Sequence, residues 1–171
     1  STLFPYTTLF RSVRTRSALT CGADLVFALP APCACAGAEA FARAGVALLA
    51  AAGCDGLVFG AETPDSALLM EAAELLDSGS YRAALKAQLA GGARSFAAAR
   101  QAAAAQLASD ERVAALLDKP NNNLAVEYCR AIRSLAPRME AYPLPRQGAN
   151  HGEALHSAHG QFARASALRR L

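Results

Sequence analysis

Apolar and polar positions along this chain follow two regimes, and the change of regime suggests the architecture. Between Val13 and Glu62, short apolar runs are cut by glycine and proline. Arg14 to Cys21 reads as a short helix closed by Gly22. Ala23-Asp-Leu-Val-Phe-Ala-Leu29 is an apolar run ended by Pro30, the pattern of a buried strand. Ala38 to Ala52 carries Phe41, Val46, Leu48 and Leu49 on a helix that Gly53 terminates. Gly56-Leu-Val-Phe-Gly60 is a second strand between turn glycines. Thr63-Pro64-Asp65 then opens a helix through Leu76, with proline in the first turn, where its missing N–H costs nothing.

The second regime is helical. Tyr81 to Ala90, Ser95 to Ala108 and Glu111 to Leu117 are separated by Gly91-Gly92 and Ser109-Asp110. Asp118 to Asn123 forms a turn, Leu124 to Leu135 a helix, and Met139 to Leu144 a third strand. Arg146 to Gly160 reads as a polar loop, and Ala163 to Leu171 begins a last helix. Strands alternating with helices imply a parallel sheet. The expected fold is therefore α/β, a Rossmann-like parallel sheet with strands near 24–29, 56–59 and 140–144 and an α-helical insertion near 65–118.

Composition narrows this picture in three ways. Alanine supplies 43 of the 171 residues, so the 53% hydrophobic content reflects small side chains and close helix packing. The longest uncharged apolar stretch, Ala44 to Cys54, falls far short of the roughly 20 residues a spanning helix needs, so no membrane is expected. Residues 1–12 contain no alanine at all and look like a translated sequencing adapter. The expected organisation is a non-native segment 1–12 followed by a partial domain 13–171, incomplete at both ends.

Charge and cysteine content say less. Seventeen basic and 14 acidic residues give a net charge of +3, compatible with an RNA or nucleotide ligand without requiring one. The five cysteines contain no CxxC pair; Cys21, Cys54 and Cys129 read as small core residues, and the compartment as reducing and cytoplasmic.

Candidate chemistry sits at predicted strand ends and helix starts. Gly60-Ala-Glu62 follows a strand and precedes a helix, where parallel sheets bind ligands and glycine admits them to the backbone. Pro120-Asn-Asn-Asn123 opens a helix with amides suited to a base edge or ribose, at an end that favours anions. Ordinary turns and caps explain both stretches equally well. Glu39 and Glu62 could lie near each other across adjacent turns. His151, His156 and His159 lack metal-ligand spacing and read as loop histidines, so no metal site is expected.

Four stretches in series point to a family. They are Arg14-Thr-Arg-Ser-Ala-Leu19 with Gly22-Ala-Asp-Leu-Val26 and Leu29-Pro30; then Gly37-Ala-Glu-Ala-Phe-Ala42, Gly45-Val-Ala-Leu-Leu49 and Gly53 to Glu62. Pro120 to Ile132 is the third, and Pro143 to His151 with Ala163 to Arg169 the fourth. Together they resemble the bacterial tRNA(Met) cytidine acetate ligases, nucleotidyltransferase-like enzymes. The resemblance implies an ATP-dependent ligase that activates acetate as acetyl-adenylate and acetylates the wobble cytidine of elongator tRNA(Met). It implies ATP, with Mg2+, as the cofactor, and acetate and tRNA(Met) as partners. By position, Gly60, Asn121 or Asn122, and Arg146 match the family's ATP-contacting residues. Gly60 would admit the nucleotide, the asparagine would bond ribose or base, and Arg146 would meet phosphate.

This sequence also departs from the family pattern. Gly-Ala-Glu stands for Gly-Ser-Glu, Asn123 for an isoleucine, and Arg164 for a serine. The family's HxGH phosphate motif, with the catalytic residues, would precede Val13, so the chain as written is expected to be inactive. A generic adenylyltransferase of the same fold group and a non-catalytic helical interaction domain are the competing readings.

Overall fold

The computed structural model describes residues 4–146, with side chains from Arg11 onward. A non-native segment 1–12 is expected to leave Phe4 and Phe10 unpacked; those side chains, the loop beyond Arg146 with its three histidines, and the helix expected from Ala163 lie outside the described residues. The chain divides between Cys35 and Ala36 into two units.

The first unit holds α1 (Phe4–Thr20) and the short α2 (Ala31–Ala34). α1 begins well before the expected start at Arg14 and runs without a break across residue 12. Nothing in that stretch stops a helix, since Pro5 falls in the first turn. The Ser17 and Thr20 hydroxyls donate back to the Val13 and Arg16 carbonyls at 2.9 Å. Gly22 ends the helix as expected, at φ +101°. Residues 24–29 are not a strand, which corrects the expectation. An apolar run becomes a strand only when a neighbour pairs its backbone, and among the described residues none does. Leu25, Val26 and Phe27 are accordingly exposed.

The second unit follows the expected punctuation closely. α3 (Ala38–Ala51) ends at Gly53, whose φ of +82° turns the chain into β1 (Gly56–Ala61). Four helices then intervene: α4 (Ser66–Asp77), α5 (Gly79–Ala90), α6 (Phe96–Leu107) and α7 (Glu111–Leu116). α8 (Pro120–Leu135) leads into β2 (Glu140–Pro145), which pairs parallel to β1 with Gly60 opposite Leu144. A parallel pair needs a long crossover, here supplied by the helical insertion and α8. The fold is thus mixed α/β, with a two-stranded parallel sheet among the described residues.

Period-two alternation in β1 turns Leu57, Phe59 and Ala61 inward and leaves Val58 exposed. α8 packs against α3, α4 and both strands, and its Tyr128 ring lies 5.3 Å from Phe59 and 6.5 Å from Phe41. Alanine makes the close approach possible: Ala42, Ala72, Ala73, Ala99, Ala103 and Ala104 are all fully buried. The alanine-rich stretch expected to be helical is α6, its buried face set by Ala99, Ala103 and Ala104.

Two local details differ from the sequence reading. Pro64 precedes the cap of α4 instead of occupying its first turn. The cap is Asp65, whose Oδ1 accepts from the Leu68 N–H at 3.0 Å. Asp65→Ala is expected to destabilise the chain by about 1 kcal/mol, the usual value of an N-cap, measured by urea denaturation; an unchanged midpoint would show the cap is idle. Cys21 and Cys54 are exposed, because each lies in the turn that follows a helix, and only Cys129 is a core residue as expected. Burial pushes the Cys129 thiol up to about 12, which keeps it un-ionised and inert.

Candidate functional site

The sheet, α8 and the residues just past β1 meet at the carboxyl ends of the strands. Glu62 is the first residue beyond β1. Arg146 is the first beyond β2, held there by its N–H donating to the Ala61 carbonyl at 3.0 Å, which extends the parallel ladder. The N-terminus of α8 faces the same point; Pro120 has no N–H and the Lys119 N–H bonds the Leu116 carbonyl, so the Asn121 and Asn122 N–H groups are the ones that need partners.

α8 does not cap itself. Lys119 occupies the cap position without a side-chain bond, and Pro120 takes the first turn. The cap comes from Glu62 instead, far away in sequence. Its Oε2 accepts from the Asn122 N–H at 2.7 Å, and its Oε1 from the Asn121 N–H at 3.3 Å and from Asn121 Nδ2. Partial burial works to raise the carboxyl's pKa. The hydrogen bonds from the Asn121 side chain and the Asn122 and Asn121 N–H groups outweigh it, and the net shift is downward. The helix end expected to favour an external anion therefore already holds the protein's own.

The three consecutive asparagines do three different things, because successive helical positions point about 100° apart. Asn121 faces the strand ends: its Nδ2 donates to Glu62, and its Oδ1 accepts from Arg146 Nη1 at 3.0 Å. Asn122 points inward and is fully buried. Its Oδ1 accepts from the Thr63 N–H at 2.9 Å and its Nδ2 donates to Thr63 Oγ1 at 3.1 Å, so both ends of the amide are used. Asn123 reaches back, donating to the Leu117 carbonyl at 2.9 Å.

Gly60, Asn121 and Arg146 thus converge on one place, with Asn122 clamped behind them. Gly60 is exposed on β1, and a Cβ there would stand 3.2 Å from Arg146 Cγ. The missing side chain gives room to the arginine stem that crosses it. Sequence reasoning left Asn121 and Asn122 as alternatives; the structure buries Asn122 and leaves Asn121 half-buried at the strand ends.

Glu39 and Glu62 do not meet. Glu39 belongs to a second polar cluster, where Arg130 of α8 approaches it at 3.9 Å. At 1.5 Å of rise per residue, Arg130 lies about 13 Å along α8 from Asn121. That cluster is centred on Glu127, which is 3% exposed and grips Arg100 at 2.5 Å and Arg130 at 2.7 Å. Arg130 also reaches Asp77 at 2.8 Å. The cluster lines a cavity of about 560 Å³ together with Arg43, Tyr81 and Phe96. Sequence reasoning passed over it; the signal was a glutamate on the apolar face of α8, three residues from an arginine. Among the described residues no group of three or more His, Cys, Asp or Glu side chains is arranged to hold a metal ion, and no helix is long and apolar enough to cross a membrane.

A parallel α/β unit with a polar site at its strand ends belongs to the class of folds that place ligands at the carboxyl ends of their strands. The chain belongs to the HIGH Nucleotidyl Transferase family, whose profile matches residues 9–171. That match begins inside the segment 1–12. Among curated proteins it is 39% identical to the tRNA(Met) cytidine acetate ligase of Syntrophotalea carbinolica and 33% identical to that of Bacillus subtilis, in each case over 92% of this chain. Among solved structures, it is similar to apo Thermotoga maritima TmcAL, with a TM-score of 0.80, 30% identity and 92% of this chain covered. The same protein bound with alpha-thio ATP gives a TM-score of 0.76 and 29% identity over the same share. The chain spans 38% of the length of these curated relatives and 37–38% of the solved chains. The resemblance carried by the four sequence stretches is borne out by these relatives.

Proposed function

We propose that this chain forms part of the nucleotide-handling domain of an ATP-dependent ligase that acetylates the wobble cytidine of elongator tRNA(Met) in the cytoplasm. One observation carries the reading. Gly60, Asn121 and Arg146, far apart in sequence, meet at the strand ends of a chain whose relatives bear that activity in their names. In the first step an acetate oxygen attacks the α-phosphorus of ATP, and pyrophosphate leaves. In the second the cytidine exocyclic amine attacks the acetyl carbonyl, its proton passes to solvent, and AMP leaves.

Within this scheme Arg146 meets the phosphates. Its guanidinium is anchored on one side by Asn121 and by its own backbone in the ladder, so its remaining N–H groups are held ready for developing charge. Asn121 bonds ribose or base, and Gly60 keeps the space between them open. Mg2+ would enter with the nucleotide and would supply neutralisation of the charge that develops on its phosphates.

The test is transfer of labelled acetate to tRNA(Met) by the enzyme carrying this chain, with and without Arg146→Ala. The expected result is ATP-dependent acetylation, and a fall of about a hundredfold in kcat/KM for the variant, the usual cost of one preorganised donor. Transfer of AMP to a phosphorylated metabolite without acetylation would move the assignment to a generic adenylyltransferase. Absence of any nucleotide binding would leave a helical interaction domain.

A further inference from the structure

We propose that Glu62 is the positioning residue of this site: by holding the Asn121 amide nitrogen it turns the Asn121 carbonyl toward the ligand, so that the site reads a hydrogen-bond donor on the nucleotide. The inference rests on the nucleotide reading above and adds to it which atom does the recognition and what fixes that atom.

The argument is one of donors and acceptors. A carboxylate only accepts and a guanidinium only donates. Asn121 sits between one of each, with Nδ2 on Glu62 and Oδ1 on Arg146. Rotating the amide by 180° would put its oxygen against the carboxylate and its NH2 against the guanidinium. Both contacts would be repulsive, so one orientation survives.

Glu62 is itself fixed. Three hydrogen bonds reach its two oxygens, two of them from backbone N–H groups of α8. They hold the carboxylate on the helix end with the support of the helix dipole. A chain of positions therefore runs from β1 through Glu62 to the Asn121 carbonyl.

That carbonyl has two lone pairs, and Arg146 takes one of them. The other suits a donor. Phosphate at neutral pH offers none beyond a residual proton, whereas the base amine and the ribose hydroxyls do. Recognition at Asn121 is thus assigned to the nucleoside portion, beside the phosphates assigned to Arg146.

Equilibrium binding of ATP, ITP, 2′-deoxy-ATP and 3′-deoxy-ATP tests this, on the wild-type enzyme and on E62Q and N121A. ITP lacks the amine donor, and each deoxynucleotide lacks one hydroxyl. In the wild type, one of the three analogues should bind about tenfold more weakly than ATP, the value of one well-made hydrogen bond. In E62Q the glutamine amide no longer selects the Asn121 orientation and only the Arg146 contact still opposes rotation, so that discrimination should fall to about threefold or less. N121A should lose it as well, which keeps the test decisive should E62Q fold poorly. A purely structural role for Glu62 would weaken all four nucleotides equally with discrimination intact, and would overturn the proposal. Discrimination surviving in N121A would do the same. Failure of the wild type to bind any nucleotide would instead remove the site reading itself, and this proposal with it.

Discussion

Replacing Glu127 with alanine is expected to cost about 3–5 kcal/mol of stability, the usual penalty for breaking a buried ion pair from one side. Glu127 is 3% exposed, and its two oxygens hold Arg100 and Arg130, which come from different helices. The alanine variant would leave two guanidinium groups partly buried without their shared carboxylate. Arg130 would keep Asp77, but Arg100 has no second ion pair among the described residues. A chain of this size should lose on the order of 10 °C in Tm. The contribution should resist salt, since a buried pair is poorly screened. Exchanging Arg100, Glu127 and Arg130 together for apolar residues of similar volume should cost much less than Glu127→Ala alone, because no charge is then stranded. A loss below 1 kcal/mol for Glu127→Ala would show that the cluster is solvated and only incidental to the fold.

Leu69→Ala is expected to cost about 2–5 kcal/mol, through lost burial and the cavity left behind. Leu69 is completely buried on α4, which packs against α7 and α8. It belongs to the core cluster that also holds Ala72 and Ala73, three and four residues on along the same helix. Urea denaturation is the measurement, with an unchanged slope showing that the native state alone is affected. Ile132→Val, at an equally buried position, should cost only about 1 kcal/mol. Equal losses at the two positions would show that packing around α4 is loose.

Elements whose boundaries are written in local chemistry were legible before any coordinates. Gly22, Gly53 and the Gly91-Gly92 pair end helices where they were expected to, since a left-handed turn is open to glycine on local grounds alone. β1 and β2 were legible from short apolar runs between breakers, and their parallel pairing from the helices between them. The run at 24–29 has the same local chemistry and is not a strand. A strand is a relation between two segments, and one sequence window cannot supply its partner. The same holds for Cys21 and Cys54, which are apolar by neighbourhood in sequence yet exposed in space.

The site shows the division most clearly. Residue type and order were enough to single out Gly60, the asparagine run and Arg146, through their resemblance to a known pattern. They were not enough to choose between Asn121 and Asn122, to cap α8 with Glu62, or to separate Glu39 from Glu62. Each of those depends on helical phase and on contacts between residues remote in the chain. One turn of α8 sends three identical side chains to the strand ends, into the core and back to the preceding turn. Burial then decides which amide is spent on the core and which stays half-buried at the strand ends. Local propensity and capping act over a few residues, so the chain's own order specified most of its helices, its turns and both strands found among the described residues. Long-range hydrogen bonds and burial exist only once those elements pack, and they alone decided which of the candidate groups share a site and which way each one points.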